Sequence, residues 1–516
     1  MQKILKLLFS KKLLSLFLLL LQIYLLAAGF LWFEEDIAYL YWVQLAFCTA
    51  MVIYEVNSRK NPAFQMSWLI LVALAPAFAL LLYVLVRTDF TSRRIGRRVD
   101  RILKSTNRHL PQDPLTMEQL CREHPRTASL CRYLEEGCGF PVYQNTDVKY
   151  YPLGDFMFED LKRDLMDAER FIFLEFFMIY HGIMWSAIHE ILKKKSQEGV
   201  EVRLLYDGMG CRLSMLPGDY YKQLEEEGIS CRVFSPVLPL LSTAQNNRDH
   251  RKIVVVDGRV AYTGGVNLGD EYINREERFG HWKDTAVRLC GDGVDSFSML
   301  FLQMWNAASQ KEVFHETEYL SYLSGATCRE VQPAEGYVVP YGDCPLDQEA
   351  TGERVYLDLL NTAQRFVHIT TPYLVPSSEM RETMLFTAKR GVEVVLLLPH
   401  IPDKRYMRCL ARTYYPELIR GGVKIYEYLP GFVHAKMSIA DGERAVVGTI
   451  NHDFRSLFLH YECAALLIGT PCIQLIEQDF QQTLKLSHRV TLADYMKINV
   501  ISRIFGYVLR LFAPLL

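Results

Sequence analysis

The chain has 516 residues, 50% of them hydrophobic and 22% charged, which excludes a single small domain and leaves room for a membrane segment beside one large core or two similar ones. A formal net charge of -2 gives no bulk attraction to nucleic acid and weighs against a nuclease. The 12 cysteines are scattered without C-x-x-C spacing and read as ordinary thiols, not as a disulfide frame or a metal site.

From the N-terminus, an apolar run from Leu13 to Phe33 has the length of a bilayer-spanning helix, about 30 Å at the α-helical rise. Lys3, Lys6, Lys11 and Lys12 precede it, as in a signal peptide, but no small-residue cleavage site follows. Further runs from Ile37 to Val56 and from Met66 to Val86, the latter interrupted by Pro76, predict two more spans, so residues 1–90 are expected to be a multi-pass membrane anchor. In this three-span arrangement six basic residues fall on one side and seven on the other, so charge does not choose the side that the remaining chain faces. Residues 91–145 form a basic, mostly helical connector. Its arginines Arg93, Arg94, Arg97, Arg98 and Arg101 suit anionic lipid head groups.

Beyond residue 145 short β-branched runs alternate with amphipathic stretches, the pattern of an α/β layer fold. The pattern occurs twice. Arg170-Phe-Ile-Phe-Leu-Glu175 matches Arg365-Phe-Val-His-Ile-Thr370, and Gly199-Val-Glu-Val matches Gly391-Val-Glu-Val, at offsets of 195 and 192. Near-constant offsets in the same order predict two homologous halves, 146–310 and 355–490, joined by 311–354 and followed by an amphipathic helix in 491–516.

Each half carries one copy of a charged motif. His250-Arg-Lys252 leads to Asp257 and then Gly264-Gly-Val-Asn267; His434-Ala-Lys436 leads to Asp441 and then Gly448-Thr-Ile-Asn451, with identical spacing. Five fixed positions match by chance roughly once in a few million starts, and here they match twice. On a strand, residues two apart share a face, so each His and Lys can address one ligand. The aspartates, each followed by Gly258 or Gly442, sit where the strand turns and suit structural pairing better than proton transfer. Two facing copies would supply a nucleophile on one side of a phosphorus atom and a proton donor on the other.

The doubled H-x-K-x4-D-x6-G-(G/S/T)-x-N motif resembles the signature of the phospholipase D superfamily. Asn247-Arg-Asp-His250, Asp270-Glu-Tyr272 and Trp282-Lys-Asp284-Thr285 are similar to the bacterial cardiolipin synthase subgroup. One departure is Thr449, where the second copy usually has Ser. The resemblance implies two phospholipase D-like α/β sandwich halves packed face to face behind N-terminal transmembrane helices. It implies a catalytic set of His250, Lys252, Asp257, His434, Lys436 and Asp441, with His250 favoured as nucleophile and His434 as acid/base. Lys252, Lys436, Asn267 and Asn451 are the donors available to a phosphate, so no metal or other cofactor is required. Asp284 and Glu462 begin another pair of matching strands and suit the orienting of an imidazole.

The implied reaction joins two phosphatidylglycerol molecules into cardiolipin and releases glycerol, with the membrane as partner and no nucleic acid. The motifs alone leave open a phospholipase D-type hydrolase or another phosphatidyltransferase, because only the acceptor differs. A non-catalytic membrane protein would be expected to have lost a His or Lys, and both copies are complete.

Overall fold

The computed structural model describes residues 24, 35–58, 61–87, 98–99, 101–103, 105–106, 109–235, 246–309, 319–323, 334–347 and 349–515. The chain divides into two units, one built on the N-terminal helices and one comprising residues 97–236 and 247–507.

In the first unit lie α1 (Glu35–Val56), α2 (Pro62–Leu74) and α3 (Pro76–Arg87). Asn61 caps α2 by accepting the Ala63 amide at 2.9 Å, and Pro62 follows it at the first helical turn, where its missing N–H costs nothing. The span expected at 66–86 is not one helix. The chain breaks at Ala75 (φ -148°, ψ 68°) because Pro76 cannot donate to the preceding turn. The Trp68 and Tyr83 rings meet edge to face at 5.1 Å, whereas a straight helix would hold them about 22 Å apart. Thus α3 folds back on α2, and the Tyr83 hydroxyl donates to buried Glu55 of α1 at 2.5 Å. The expected span at 13–33 lies outside the described residues. Among those described, no helix is long and apolar enough to cross a membrane.

The second unit contains two mixed sheets. The first comprises β1 (Thr146–Tyr151), β2 (Phe171–Phe176), β3 (Glu201–Asp207), β4 (Ser230–Phe234), β5 (Lys252–Val256), β6 (Val260–Gly264) and β7 (Ala286–Gly291), in the order β1-β7-β6-β5-β2-β3-β4. The second comprises β8 (Tyr337–Asp343), β9 (Phe366–Thr370), β10 (Glu393–Pro399), β11 (Lys424–Tyr428), β12 (Met437–Ala440), β13 (Arg444–Gly448), β14 (His460–Ile468) and β15 (Ser487–Arg489). Its order, β8-β14-β13-β12-β9-β10-β11-β15, repeats the first with one strand added. The halves are therefore homologous in topology as well as in motif. In each, three adjacent strands run parallel, and β2, covered on both faces, is buried along its whole length.

The second half starts earlier than 355. β8 pairs with β14 throughout, and Pro340 in its middle is tolerated because β8 is an edge strand of the ladder. Helices flank both sheets, among them α4 (Val294–Ala308) and α5 (Cys472–Lys485), each following the last long strand of its half. All eleven described cysteines are free thiols, seven of them buried.

Candidate active site

His250 precedes β5 and His434 precedes β12, and in both halves a short exchange of strands fixes them. Arg248–Asp249 runs parallel to His460–Tyr461 at the start of β14, so the first half adds two residues to the second half's sheet. In return, Gly431–Val433 runs parallel to His281–Lys283 of the first half. The His250 amide donates to the Tyr461 carbonyl at 2.9 Å, and the His434 amide to the Lys283 carbonyl at 2.8 Å. Each carbonyl belongs to the residue just before a buried carboxylate. As a result His250 Nδ1 lies 2.9 Å from both oxygens of Glu462, and His434 Nδ1 lies 2.7 Å from Asp284 Oδ2. A carboxylate only accepts, so each imidazole presents its proton at Nδ1 and keeps Nε2 for chemistry.

The two carboxylates are held differently. Thr449 donates its hydroxyl to Glu462 Oε2 and accepts the Cys463 amide at 3.0 Å. At the matching position Gly265 leaves space that Asp284 fills, since an added Cβ would stand 2.0 Å from Asp284 Oδ1. Glu462 also differs from the expectation that it opens its strand. It is the third residue of β14, because pairing with Arg248–Asp249 extends that strand backward.

Lys252 and Lys436 are buried, and each Nζ donates to the carbonyl of its own histidine, Lys252 at 2.5 Å. Burial pushes Lys252 down to about 8 against the opposing pull of Glu462, and pushes Lys436 down to about 7, where Asp284 opposes burial and the Lys252 ammonium adds to it. Burial also lowers both imidazoles, aided by the two lysines: His250 falls well below its ordinary value, and His434 to about 4, where Asp284 partly counters the shift. Burial tends to raise Asp284, but the His434 imidazole and Lys436 outweigh it and hold the carboxyl below the usual range. Two buried ammoniums and two imidazoles, each imidazole backed by a carboxylate, thus form one cluster of donors that suits an anionic ligand.

Asn267 donates to the Tyr272 hydroxyl at 2.8 Å and Asn451 to the Ser456 hydroxyl at 3.0 Å, and each amide nitrogen retains a second hydrogen for a ligand oxygen. Asp257 and Asp441 do not join this group, which corrects their place in the implied catalytic set. They occupy the far ends of β5 and β12 in left-handed conformation (φ 55° and 57°), ahead of Gly258 and Gly442, also at positive φ. Asp257 accepts the amides of Glu169, Arg170 and Phe171, and Asp441 those of Gln364, Arg365 and Phe366, all within 3.0 Å. They pin each motif hairpin to the start of the central strand.

His460 went unnoticed in the sequence. Its buried ring lies 5.5 Å from that of His250, and its Nδ1 lies 3.8 Å from Glu462. Burial pushes it down to about 3. Trp282 is its counterpart, 5.5 Å from the His434 ring; each stands two residues before its carboxylate, so aligning the repeats around Asp284 and Glu462 finds both. Among the described residues, His250, His460 and Glu462 are the group whose ligand atoms lie close enough for a metal ion, within 4.8 Å. A cation there would compete with the Nδ1 proton of His250.

The profile of the family described as "Cardiolipin synthase, PLD-like domain" matches residues 161–284 and 356–484, one stretch in each half. "Cardiolipin synthase 2" of Bacillus anthracis is 32% identical over 91% of this chain and 90% of its own length. The chain belongs to the cardiolipin synthase family of phospholipase D-like proteins. "Cardiolipin synthase" of Alkalihalophilus pseudofirmus is 29% identical over 95% of this chain and 96% of its own. A Streptococcus mutans protein described only as uncharacterized is 47% identical over 90% and 99%. By fold, the chain is similar to the crystal structure of phosphatidylserine synthase from Haemophilus influenzae, with a TM-score of 0.55 at 14% identity over 73% of this chain and 94% of that one. As a member of this family the chain is a phosphatidyltransferase enzyme.

Proposed function

We propose that the protein is a membrane-anchored cardiolipin synthase that transfers a phosphatidyl group from one phosphatidylglycerol to another. The observation that carries this reading is the pair of imidazoles, each held at Nδ1 by a carboxylate of the opposite half, with Lys252 and Lys436 acting on both.

His250 Nε2 attacks phosphorus, and the P–O bond to the head-group glycerol breaks while His434 protonates the departing oxygen, releasing glycerol. His434 then takes the proton from a hydroxyl of a second phosphatidylglycerol. That oxygen displaces His250 from phosphorus, and the P–N bond breaks to give cardiolipin. Charge building on the non-bridging oxygens is met by Lys252, Lys436 and the spare amide hydrogens of Asn267 and Asn451. The assignment of His434 as acid/base, and so of His250 as nucleophile, is supported by Asp284, which works against burial and helps His434 carry a proton. Asp284 and Glu462 act as positioning residues. One phosphodiester replaces another, so no nucleotide is consumed.

The apolar run at 13–33 and the exposed Tyr39, Trp42, Phe47 and Ile53 of α1 support attachment to a membrane. The test is purified protein in phosphatidylglycerol micelles. Cardiolipin and glycerol should appear together, and His250→Asn or His434→Asn should abolish both. Phosphatidic acid as dominant product would make the protein a hydrolase, and neither product would sink the lipid reading.

A further inference from the structure

A cavity of 560 Å³ outside the catalytic group is lined by four guanidiniums, those of Arg405, Arg408, Arg412 and Arg503, against the single carboxylate of Asp403. Its size is that of a pocket for a small organic ligand. The first three arginines lie on one face of α6 (Arg405–Arg412), whose other face buries Met407 and Leu410. Arg503 comes from α7 (Val500–Arg510). Gly506 lets the two helices touch, since a Cβ there would stand 2.4 Å from the Cys409 carbonyl.

The charges in the cavity are unevenly satisfied. Arg412 donates to both oxygens of Glu427, at 2.9 and 3.0 Å, and Arg408 reaches the same carboxylate only at 3.5 Å. Asp403 is already the acceptor for the Tyr373 hydroxyl. The Nε atoms of Arg408 and Arg503 are buried without a hydrogen-bond acceptor. Burial and neighbouring Arg412 push Arg408 below its ordinary value, a cost that an anion would relieve. Beside this cavity α7 turns Ile501, Ile504 and Phe505 outward, 76, 59 and 47% exposed. Phe279 joins the cavity to the catalytic site, because it packs on Trp282 and Phe432 at 6.4 and 6.1 Å, the two rings that flank His434.

We infer that this cavity is a second lipid site, in which Arg405, Arg408 and Arg503 hold the phosphodiester of an anionic phospholipid that is not itself being cut, with its acyl chains lying along Ile501, Ile504 and Phe505. Guanidiniums match a phosphate diester in both charge and planar fork geometry, and the apolar face requires a ligand with a hydrocarbon part. Free phosphate would satisfy the arginines alone. This inference takes the ligand class from the phospholipid reading above, but its test is binding without turnover, so the two can fail separately.

The test is equilibrium binding of short-chain phosphatidylglycerol, below its micelle concentration, to the detergent-solubilised full chain carrying His250→Asn. Two equivalents should bind. Arg405→Ala/Arg503→Ala should bind one, and the matching phosphatidylcholine should not fill the second site. Should the double variant misfold, Arg405→Glu alone changes an exposed side chain and should weaken the second equivalent at least tenfold. Displacement of that equivalent by inorganic phosphate at equal concentration would overturn the lipid assignment. Two equivalents retained with unchanged affinity in the arginine variants would overturn the site.

Discussion

Nδ1 of His250 lies 2.9 Å from the carboxylate of Glu462, 212 residues further along the chain and in the other half of the fold. His434 and Asp284 repeat the arrangement in the reverse direction, 150 residues apart. Neither half therefore holds a complete site. Glu462→Gln would offer an amide donor to Nδ1 and favour the tautomer whose Nε2 carries the proton, blocking attack. We expect kcat for cardiolipin formation to fall on the order of a hundred- to ten-thousandfold with an unchanged melting temperature. A loss under threefold would remove Glu462 from the mechanism.

The two carboxylate seats predict opposite tolerances. Thr449→Ser keeps the hydroxyl on Glu462 and should be silent, whereas Thr449→Val should lower kcat about tenfold, the worth of one charged hydrogen bond. Gly265→Ala forces Asp284 aside and should cost at least as much, at about tenfold or more. Steady-state kinetics of the three variants side by side checks this.

Lys436, at about 7, and Lys252, at about 8, must be charged to hold a phosphate in the free enzyme. Both lose that charge as pH rises through these values. His434, lowered to about 4, is also increasingly deprotonated as pH rises, so the effects share a sign. Accordingly kcat/KM should decline from pH 7 to 9 without recovery. A flat profile over that range would contradict the electrostatics of the site.

Asp257→Ala removes the acceptor of three backbone amides and should destabilise the fold by about 2 to 4 kcal/mol in denaturant titration. Activity per folded molecule should stay within about twofold, since the carboxylate sits away from the imidazoles. Burial tends to raise Asp257, and the amides of Glu169, Phe171 and Arg170 more than reverse this. Its folded value is thus depressed. Its contribution is present above the ordinary carboxyl value of about 3.9 and is lost as pH falls below it, a loss that Asp257→Ala should no longer show.

The sequence by itself determined the two-half α/β organisation and the identity of the histidines, lysines and asparagines brought together, because side-chain alternation and repeat spacing are local properties written along one strand. It could also place Asp257 and Asp441 at strand turns, since Asp-Gly accepts positive φ. Two local features misled: Pro340 hid an edge strand within the connection, and Pro76 ended a helix that hydropathy alone carried through. Only the tertiary structure decided which carboxylate serves which imidazole, because the strand exchanges Arg248–Asp249 with His460–Tyr461 and Gly431–Val433 with His281–Lys283 join residues some 150 to 212 positions apart. It alone brought His460 beside His250 and gathered the arginines of α6 and α7 around one cavity. Spacing along a chain records which side chains share a face; packing between faces decides which of them meet.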